Sequence, residues 1–455
     1  MTNHQTTTKL QSFLQYPLIL LLFLLPFPTI WLTEERFLNG VKWEYGTLGI
    51  YATEMLLWAV SVLFIIWYWK NWKLEIRNCP PASSREASRA GKFGFTKNRV
   101  FALACLALIS YLLLSTTWSL DHNLAWQQAR RVMGAFILGF MLRLGPLTFS
   151  KAAGWFVAGA TLQSLLGIWQ FLTQSTFAFK WLGLVEHQAW QAGTAIISGP
   201  EIGRWLRAYG AFPHPNVLGG YLVVGLILTT LLWHKTRSLP TAYRLLPIAY
   251  CLQSAALFFT FSRSAWLTWV IWIVGWLIWH KTDKTRVGSQ LSIVNCQLSI
   301  FVVLAIIFFP LVRTRISGTA INEQLSATDR LSGYHEAGQL FRLAPWLGVG
   351  PGHYTLAAYA LAPNRPGWEY QPTHNVALLM LVELGIIGVS LFGAVIILVI
   401  ISSQGSGIRD LFFLISLFSF LPIFLLDHYL YSTTIGLLMS AVYLALICRN
   451  NNSIP

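Results

Sequence analysis

His374 and Asn375 open the phrase H-N-V-A-L-L-M-L-V-E-L-G-I-I-G, a histidine at the mouth of a long apolar helix. Imidazole is the side chain whose ordinary pKa lies closest to neutral, so it can accept and return a proton at working pH. At roughly 100° per residue, His374, Gly385 and Gly388 share one helical face, and small residues there would let a neighbouring helix approach and hold the histidine in place. Glu383 falls about 180° from His374 on the same helix, which argues against a direct carboxylate–imidazole pair. Asp427, in Asp427-His428-Tyr429, is the better orienting carboxylate if its helix is a neighbour. An interfacial histidine wetted by headgroups would have the same local sequence, so the surrounding residues must decide.

Three arginines are the natural companions. Arg207 heads R-A-Y-G-A-F-P-H-P-N, which runs through His214 to Asn216; Arg263 lies in F-S-R-S-A-W, and Arg330 in a long later loop. Guanidinium is permanently charged and forks onto paired phosphate oxygens, so such a group near a bilayer surface suits a lipid-linked phosphate or diphosphate. Pairing with Asp427, Glu201 or Glu369, or snorkelling to headgroups, is the structural alternative for each. His214 precedes Pro215 and Asn216, a pattern that favours the start and capping of a helix over catalysis.

The elements that must position these groups are membrane spans. The chain has 455 residues, 55% hydrophobic and 11% charged, the composition of an all-α polytopic membrane protein and not of a soluble enzyme. Apolar stretches at 13–32, 46–69, 100–118, 131–147, 153–172, 216–233, 245–261, 264–280, 298–312, 375–401, 411–426 and 434–448 predict about 12 transmembrane helices in one integral membrane domain over 1–455. Uninterrupted apolar runs exclude a barrel. The first span lacks a small-residue cleavage pattern and reads as a retained helix.

The net charge of +15 is explained by orientation rather than by nucleic acid, for which no partner role is expected. Residues 70–99 form a basic loop, with Pro80 to Gly91 a flexible linker by composition, and the positive-inside rule puts that loop and both termini in the cytoplasm. Two long loops then face outward, 173–213 and, between spans nine and ten, the large loop 313–373, in which short helices are expected around Asp329–Leu343. This topology delivers Arg207, His214, Arg263, Arg330, His374 and Asp427 to one outer face. The five cysteines form no C-x-x-C, so neither a disulfide nor a metal site is expected, and no cofactor.

With these pieces in hand, the chain resembles the O-antigen ligase and polymerase family of bacterial envelope glycan assembly. The resemblance rests on R-A-Y-G-A-F-P-H-P-N at Arg207–Asn216, S-R-S-A-W at Ser262–Trp266, Arg330 with W-L-G-V-G-P-G at Trp346–Gly352, and H-N-x9-G-x-x-G from His374 to Gly388. It covers roughly the carboxy-terminal half. It implies transfer of a glycan, without metal, from an undecaprenyl-diphosphate carrier to a glycan, lipid or protein acceptor at the outer face of the bacterial inner membrane. It further implies His374 as catalytic base, Arg207 and Arg263, with Arg330 in addition, as diphosphate-binding residues, and Asn375, Gly385 and Gly388 as positioning residues; Asp427 carries over by approximate location. The motifs lean towards a ligase, with a polymerase joining lipid-linked repeat units as the alternative. A lipid-linked glycan or organic-anion transporter is the reading from another class, and it predicts ionisable groups at mid-membrane and discontinuous helices.

Overall fold

A computed structural model of the chain describes residues 2–78, 85–235, 245–282, 291–318, 321–403 and 408–453, with side chains over 12–70, 100–234, 245–279, 294–318, 324–325, 328–401 and 411–449. Helices α1 (Thr2–Leu24) and α2 (Ala52–Asn78) are joined by four short strands, β1 (Ile30–Glu34), β2 (Phe37–Leu38), β3 (Val41–Lys42) and β4 (Leu48–Tyr51). β1 pairs with β4 and β2 with β3, both antiparallel. Then follow α3 (Arg85–Trp118), α4 (His122–Leu144), α5 (Phe149–Thr173), a hairpin of β5 (Ile196–Gly199) and β6 (Gly203–Leu206), α6 (Pro215–Lys235), α7 (Leu246–Phe259) and α8 (Arg263–Thr282). The chain continues through α9 (Leu291–Ile307), α10 (Phe309–Ser317), α11 (Ile321–Leu343), α12 (Tyr354–Leu361), α13 (Val376–Ser403), α14 (Ile408–Ser419), α15 (Leu421–Leu426), α16 (Tyr429–Ser432) and α17 (Thr434–Ser453).

The fold is mostly helical, as expected, with three small antiparallel pairs among the described residues in connections expected to be loop or span. Among the described residues, five helices are long and apolar enough to cross a membrane, or six if the bent pair α9 and α10 counts as one; five shorter apolar helices of 10–17 residues, including Leu246–Phe259 and Thr434–Arg449, accompany them. The predicted span 13–32 is helical only to Leu24, because Ile30–Glu34 pairs with Leu48–Tyr51. The predicted span 298–312 bends by 92° between Ile307 and Phe309, where Pro310 lacks the N–H that would continue the ladder. The second half of the predicted linker is helical from Arg85, while 79–84 lie outside the described residues.

α6 is the central post. Over Pro215–His234 it is 89% buried, packed by α5, α7 and α8, and its apolar run has no polar stripe because no face meets solvent or lipid. α4 carries charge that a buried helix can keep only when paired: Arg130 Nε lies 2.7 Å from Glu54 Oε1 of α2, a carboxylate 1% exposed. Asp121 caps α4 by accepting the Leu124 N–H at 3.0 Å, and Thr148 caps α5 through Lys151 N–H.

α13 is the helix on which the site depends, and it is not continuous. Gly385 has φ 63° and ψ −177°, an extended left-handed backbone inside an apolar span. The groups freed by this break find partners in the Pro345–Gly350 segment: Val349 and Gly350 N–H donate to Val382 and Glu383 carbonyls at 2.9 and 3.0 Å, and Ile386 and Ile387 N–H donate to Pro345 and Trp346 carbonyls at 2.9 and 3.2 Å. Tyr111 Oη of α3 closes the break, donating towards the Leu384 carbonyl at 2.6 Å and the Leu347 carbonyl at 2.8 Å. Irregular backbone is tolerable at membrane depth only when satisfied in this way. The common face expected for His374, Gly385 and Gly388 is therefore overturned, since the helix phase does not carry across Gly385. Gly388, beyond the break, lies against the Tyr111 ring.

Candidate active site

Five segments converge at one end of the helices: the starts of α6, α8 and α13, the side of α11, and the turn from α15 to α16. Asn375 caps α13, its Oδ1 accepting the Leu378 N–H at 3.0 Å, which sets His374 one residue outside the first turn. α11 lies over this strand. Gly333 faces Thr373, and Tyr334 Oη reaches the His374 carbonyl at 3.5 Å and the Leu425 carbonyl at 3.3 Å. One turn before Tyr334 on the same helix sits Arg330.

His374 Nδ1 is buried without a hydrogen-bond partner among the described residues, and so is Arg330 Nε. Burial, and then the positive charge of Arg330, lowers the His374 pKa to about 4. The ring of His428 lies 5.0 Å away, centroid to centroid, at 53°. Burial, followed by the neighbouring His374, lowers His428 to about 3. Both imidazoles are thus neutral across the physiological range, one beside a cation with an unused N–H.

The other predicted residues form a second knot. Arg207 Nη2 donates to Asn216 Oδ1 at 2.7 Å, Asn216 Nδ2 donates to Asp427 Oδ1 at 2.8 Å, and Ser264 Oγ donates to Asp427 Oδ2. Burial raises the Asp427 pKa, opposed by these two hydrogen bonds and by Arg330 and Arg207. Asp427 therefore ties α6 to α8, and its two oxygens are engaged there rather than on His374. Arg263 adjoins the knot by sequence, half-buried between Ser262 and Ser264, whose hydroxyls lie 3.2 Å apart.

His214 sits at the start of α6, where its Nδ1 accepts the Asn216 N–H at 3.1 Å and its carbonyl accepts the Val217 N–H at 3.0 Å. The side chain keeps an exposed edge, and its apolar surroundings, with Arg207, His374, His428 and Arg315 acting in the same sense, lower its pKa. Those couplings place the two knots side by side.

Arg315 was not singled out by the sequence. It is 8% exposed on α10, and its Nε donates to the Phe261 carbonyl at 2.9 Å; Arg207 Nε donates to the adjacent Thr260 carbonyl at 2.7 Å. Two guanidinium groups thus meet the carbonyl end of α7, where cations are favoured by the helix dipole and the open carbonyls. Only the 92° bend before α10 brings Arg315 there, and nothing in P-L-V-R-T-R announces it.

An apolar cavity of about 590 Å³ opens beside the site between α4, α13, α15 and α17. Val376, Met380 and Tyr431 line its end nearest His374, and Arg143 and Cys448 lie along its wall farther down α4 and α17. Among the described residues no group of three or more His, Cys, Asp or Glu is arranged to hold a metal ion.

Residues 248–393 match the family model for O-Antigen ligase. The matched segment contains Arg263, Arg330, His374, Asn375, Gly385 and Gly388; Arg207, His214, Asp427 and His428 lie outside it. No curated protein matches the chain. The match supports the resemblance to the ligase and polymerase family, and with the apolar helices it points to a bacterial membrane protein.

Proposed function

We propose, with the O-Antigen ligase match as premise, that this chain transfers a glycan from an undecaprenyl-diphosphate carrier to an acceptor hydroxyl at the outer face of the bacterial inner membrane. The observation that carries the reading is His374, a half-buried neutral imidazole whose Nδ1 is buried and unpartnered among the described residues, next to Arg330 with an unpartnered Nε. An imidazole and a cation stand together, and the apolar cavity that begins at Val376, two residues after His374, would suit an isoprenoid chain.

In this reading the diphosphate lies against Arg330, with Arg207 and Arg263 completing the cationic wall. His374 removes the proton of the acceptor hydroxyl as its oxygen attacks the anomeric carbon. The carbon–oxygen bond to the diphosphate breaks, and its electron pair leaves with the carrier, stabilised by the arginines. A single displacement of this kind inverts the anomeric centre. A pKa of about 4 makes the resting imidazole a weak base. Donor binding corrects this, because the diphosphate's negative charge offsets Arg330 and raises the pKa towards working pH.

Both ligase and polymerase need this chemistry, and they differ in the acceptor. One observation favours a transporter, the discontinuous α13 with Glu383 beside its break. Yet that break is sealed by backbone from 345–350, and the Glu383 carboxylate accepts the Gly352 and Tyr354 N–H at 2.6 and 3.2 Å, so neither half-helix end is open to a substrate. The test is to supply the purified protein, without added metal, with an undecaprenyl-diphosphate oligosaccharide and candidate acceptors. Carrier release with a single acceptor-linked product means ligase, and a ladder of repeats means polymerase. Movement of intact donor across vesicles without release would replace the reading by transport.

A further inference from the structure

His374 lacks the partner that a catalytic imidazole ordinarily has. Asp427, the carboxylate expected to orient it, is held instead by Asn216 and Ser264. What stands beside His374 instead is a second imidazole, His428, at a centroid separation of 5.0 Å. His428 is in turn anchored on its far side, its Nδ1 lying 2.7 Å from Ser432 Oγ one turn along α16. The Tyr45 ring meets it edge-on at 5.9 Å, which fixes the plane of the imidazole. His374 Nδ1 has no hydrogen-bond partner among the described residues.

We infer that His428 receives the proton that His374 takes from the acceptor hydroxyl and passes it on towards Ser432. The inference rests on the transfer reading above and deepens it. A centroid separation of 5.0 Å leaves a nitrogen of one ring within reach of a nitrogen of the other through ring rotation, or through one bridging water. The acceptor O–H bond breaks, the new bond forms from that oxygen to the anomeric carbon, and the bond to the diphosphate breaks with its electron pair. The proton moves from His374 to His428 and on to the half-buried Ser432 hydroxyl, which accepts it and releases another to solvent water. No oxidant or reductant is involved, and His374 returns neutral for the next turnover.

His428 acts through His374 and is a positioning and relay residue. The groups that bear on it are His374 at the start of α13 and Tyr45 from the connection between β3 and β4, with Asp427 and Tyr429 its neighbours in the chain. His214 at the start of α6 is electrostatically coupled to both imidazoles, and Arg330 bears on His374. Replacing the imidazole at 428 removes the second proton site and leaves the rest of this set in place.

The test uses the full chain in lipid nanodiscs. Carrier release is followed against pH for wild type, His428→Gln and His428→Ala, with and without added imidazole. In parallel, carbethoxylation of His374 by diethyl pyrocarbonate is read by mass spectrometry across the same pH range. The relay predicts a loss of about 100-fold at neutral pH in both variants. It predicts recovery of at least about tenfold for His428→Ala with imidazole, and a His374 labelling midpoint displaced in His428→Gln because the coupled pair has become a single site. A uniform loss at every pH without rescue, or a wild-type rate with an unmoved labelling midpoint, overturns the relay alone. Absence of carrier release from the wild type overturns the transfer reading and the relay with it.

Discussion

Gly348 and Gly385 meet backbone to backbone, both at positive φ (71° and 63°), where the segment before α12 fills the break in α13. A Cβ on Gly385 would stand 2.4 Å from the Trp346 carbonyl oxygen and 2.5 Å from Gly348 N; one on Gly348 would stand 2.3 Å from the Glu383 carbonyl oxygen. Neither neighbour is a side chain that could swing away.

Gly385→Ala is therefore expected to destabilise the protein by more than about 3 kcal/mol, combining left-handed strain with a backbone clash. Gly393→Ala, on the same helix with nothing within 4 Å of its added Cβ, is the control, neutral or stabilising by up to about 1 kcal/mol. Thermal unfolding of the detergent-solubilised variants checks the contrast, and equal behaviour of the two would contradict the sealed break.

Asp427 uses one oxygen for Asn216 and the other for Ser264. Asp427→Asn replaces one acceptor by a donor, so the charge-assisted bond from Ser264 is lost and its hydroxyl must turn to accept from the new amide, at a cost of about 1–3 kcal/mol. The melting temperature should fall, and adding Ser264→Ala to the Asp427→Asn variant should lower it less than Ser264→Ala does in the wild type. Additive losses would mean that the two bonds are not coupled through this carboxylate.

Arg330 is expected to stabilise charge that develops on the leaving diphosphate. Arg330→Ala should lower kcat by about 100-fold or more, with Arg330→Lys recovering only part because ammonium lacks the planar fork. A rise in KM with unchanged kcat would instead mean that Arg330 binds the ground state alone.

The pH profile carries a sign. His374 must be neutral to act, and its lowered pKa of about 4 in the free protein puts the acid limb of kcat/KM near that value. In the donor complex the diphosphate offsets Arg330, so the acid limb of kcat should lie at higher pH than that of kcat/KM. Coincident limbs would argue that no anion sits beside Arg330 during turnover.

Much of this organisation could be read from residue order alone, since apolar runs mark the helices and Asn375 after His374 marks a helix start. Other parts were hidden for physical reasons. The Leu384-Gly385-Ile386 run looks like uninterrupted span because the partners that satisfy its break lie some forty residues upstream, in Pro345–Gly350. Ile30–Glu34 extends an apolar run yet pairs as a strand with Leu48–Tyr51. Arg315 enters the site only through the bend at Phe308, and Asp427 turns to Asn216 and Ser264 rather than to His374, a choice made by packing between distant helices.

The central claim is that His374 is the base of a glycosyl transfer. Its most direct test is single-turnover carrier release from an undecaprenyl-diphosphate oligosaccharide, comparing wild type with His374→Ala of equal melting temperature and determining the anomeric configuration of the product. The account predicts release reduced by about 100-fold or more in the variant, and an inverted linkage from the wild type. Undiminished release by His374→Ala, or a retained configuration, would contradict it.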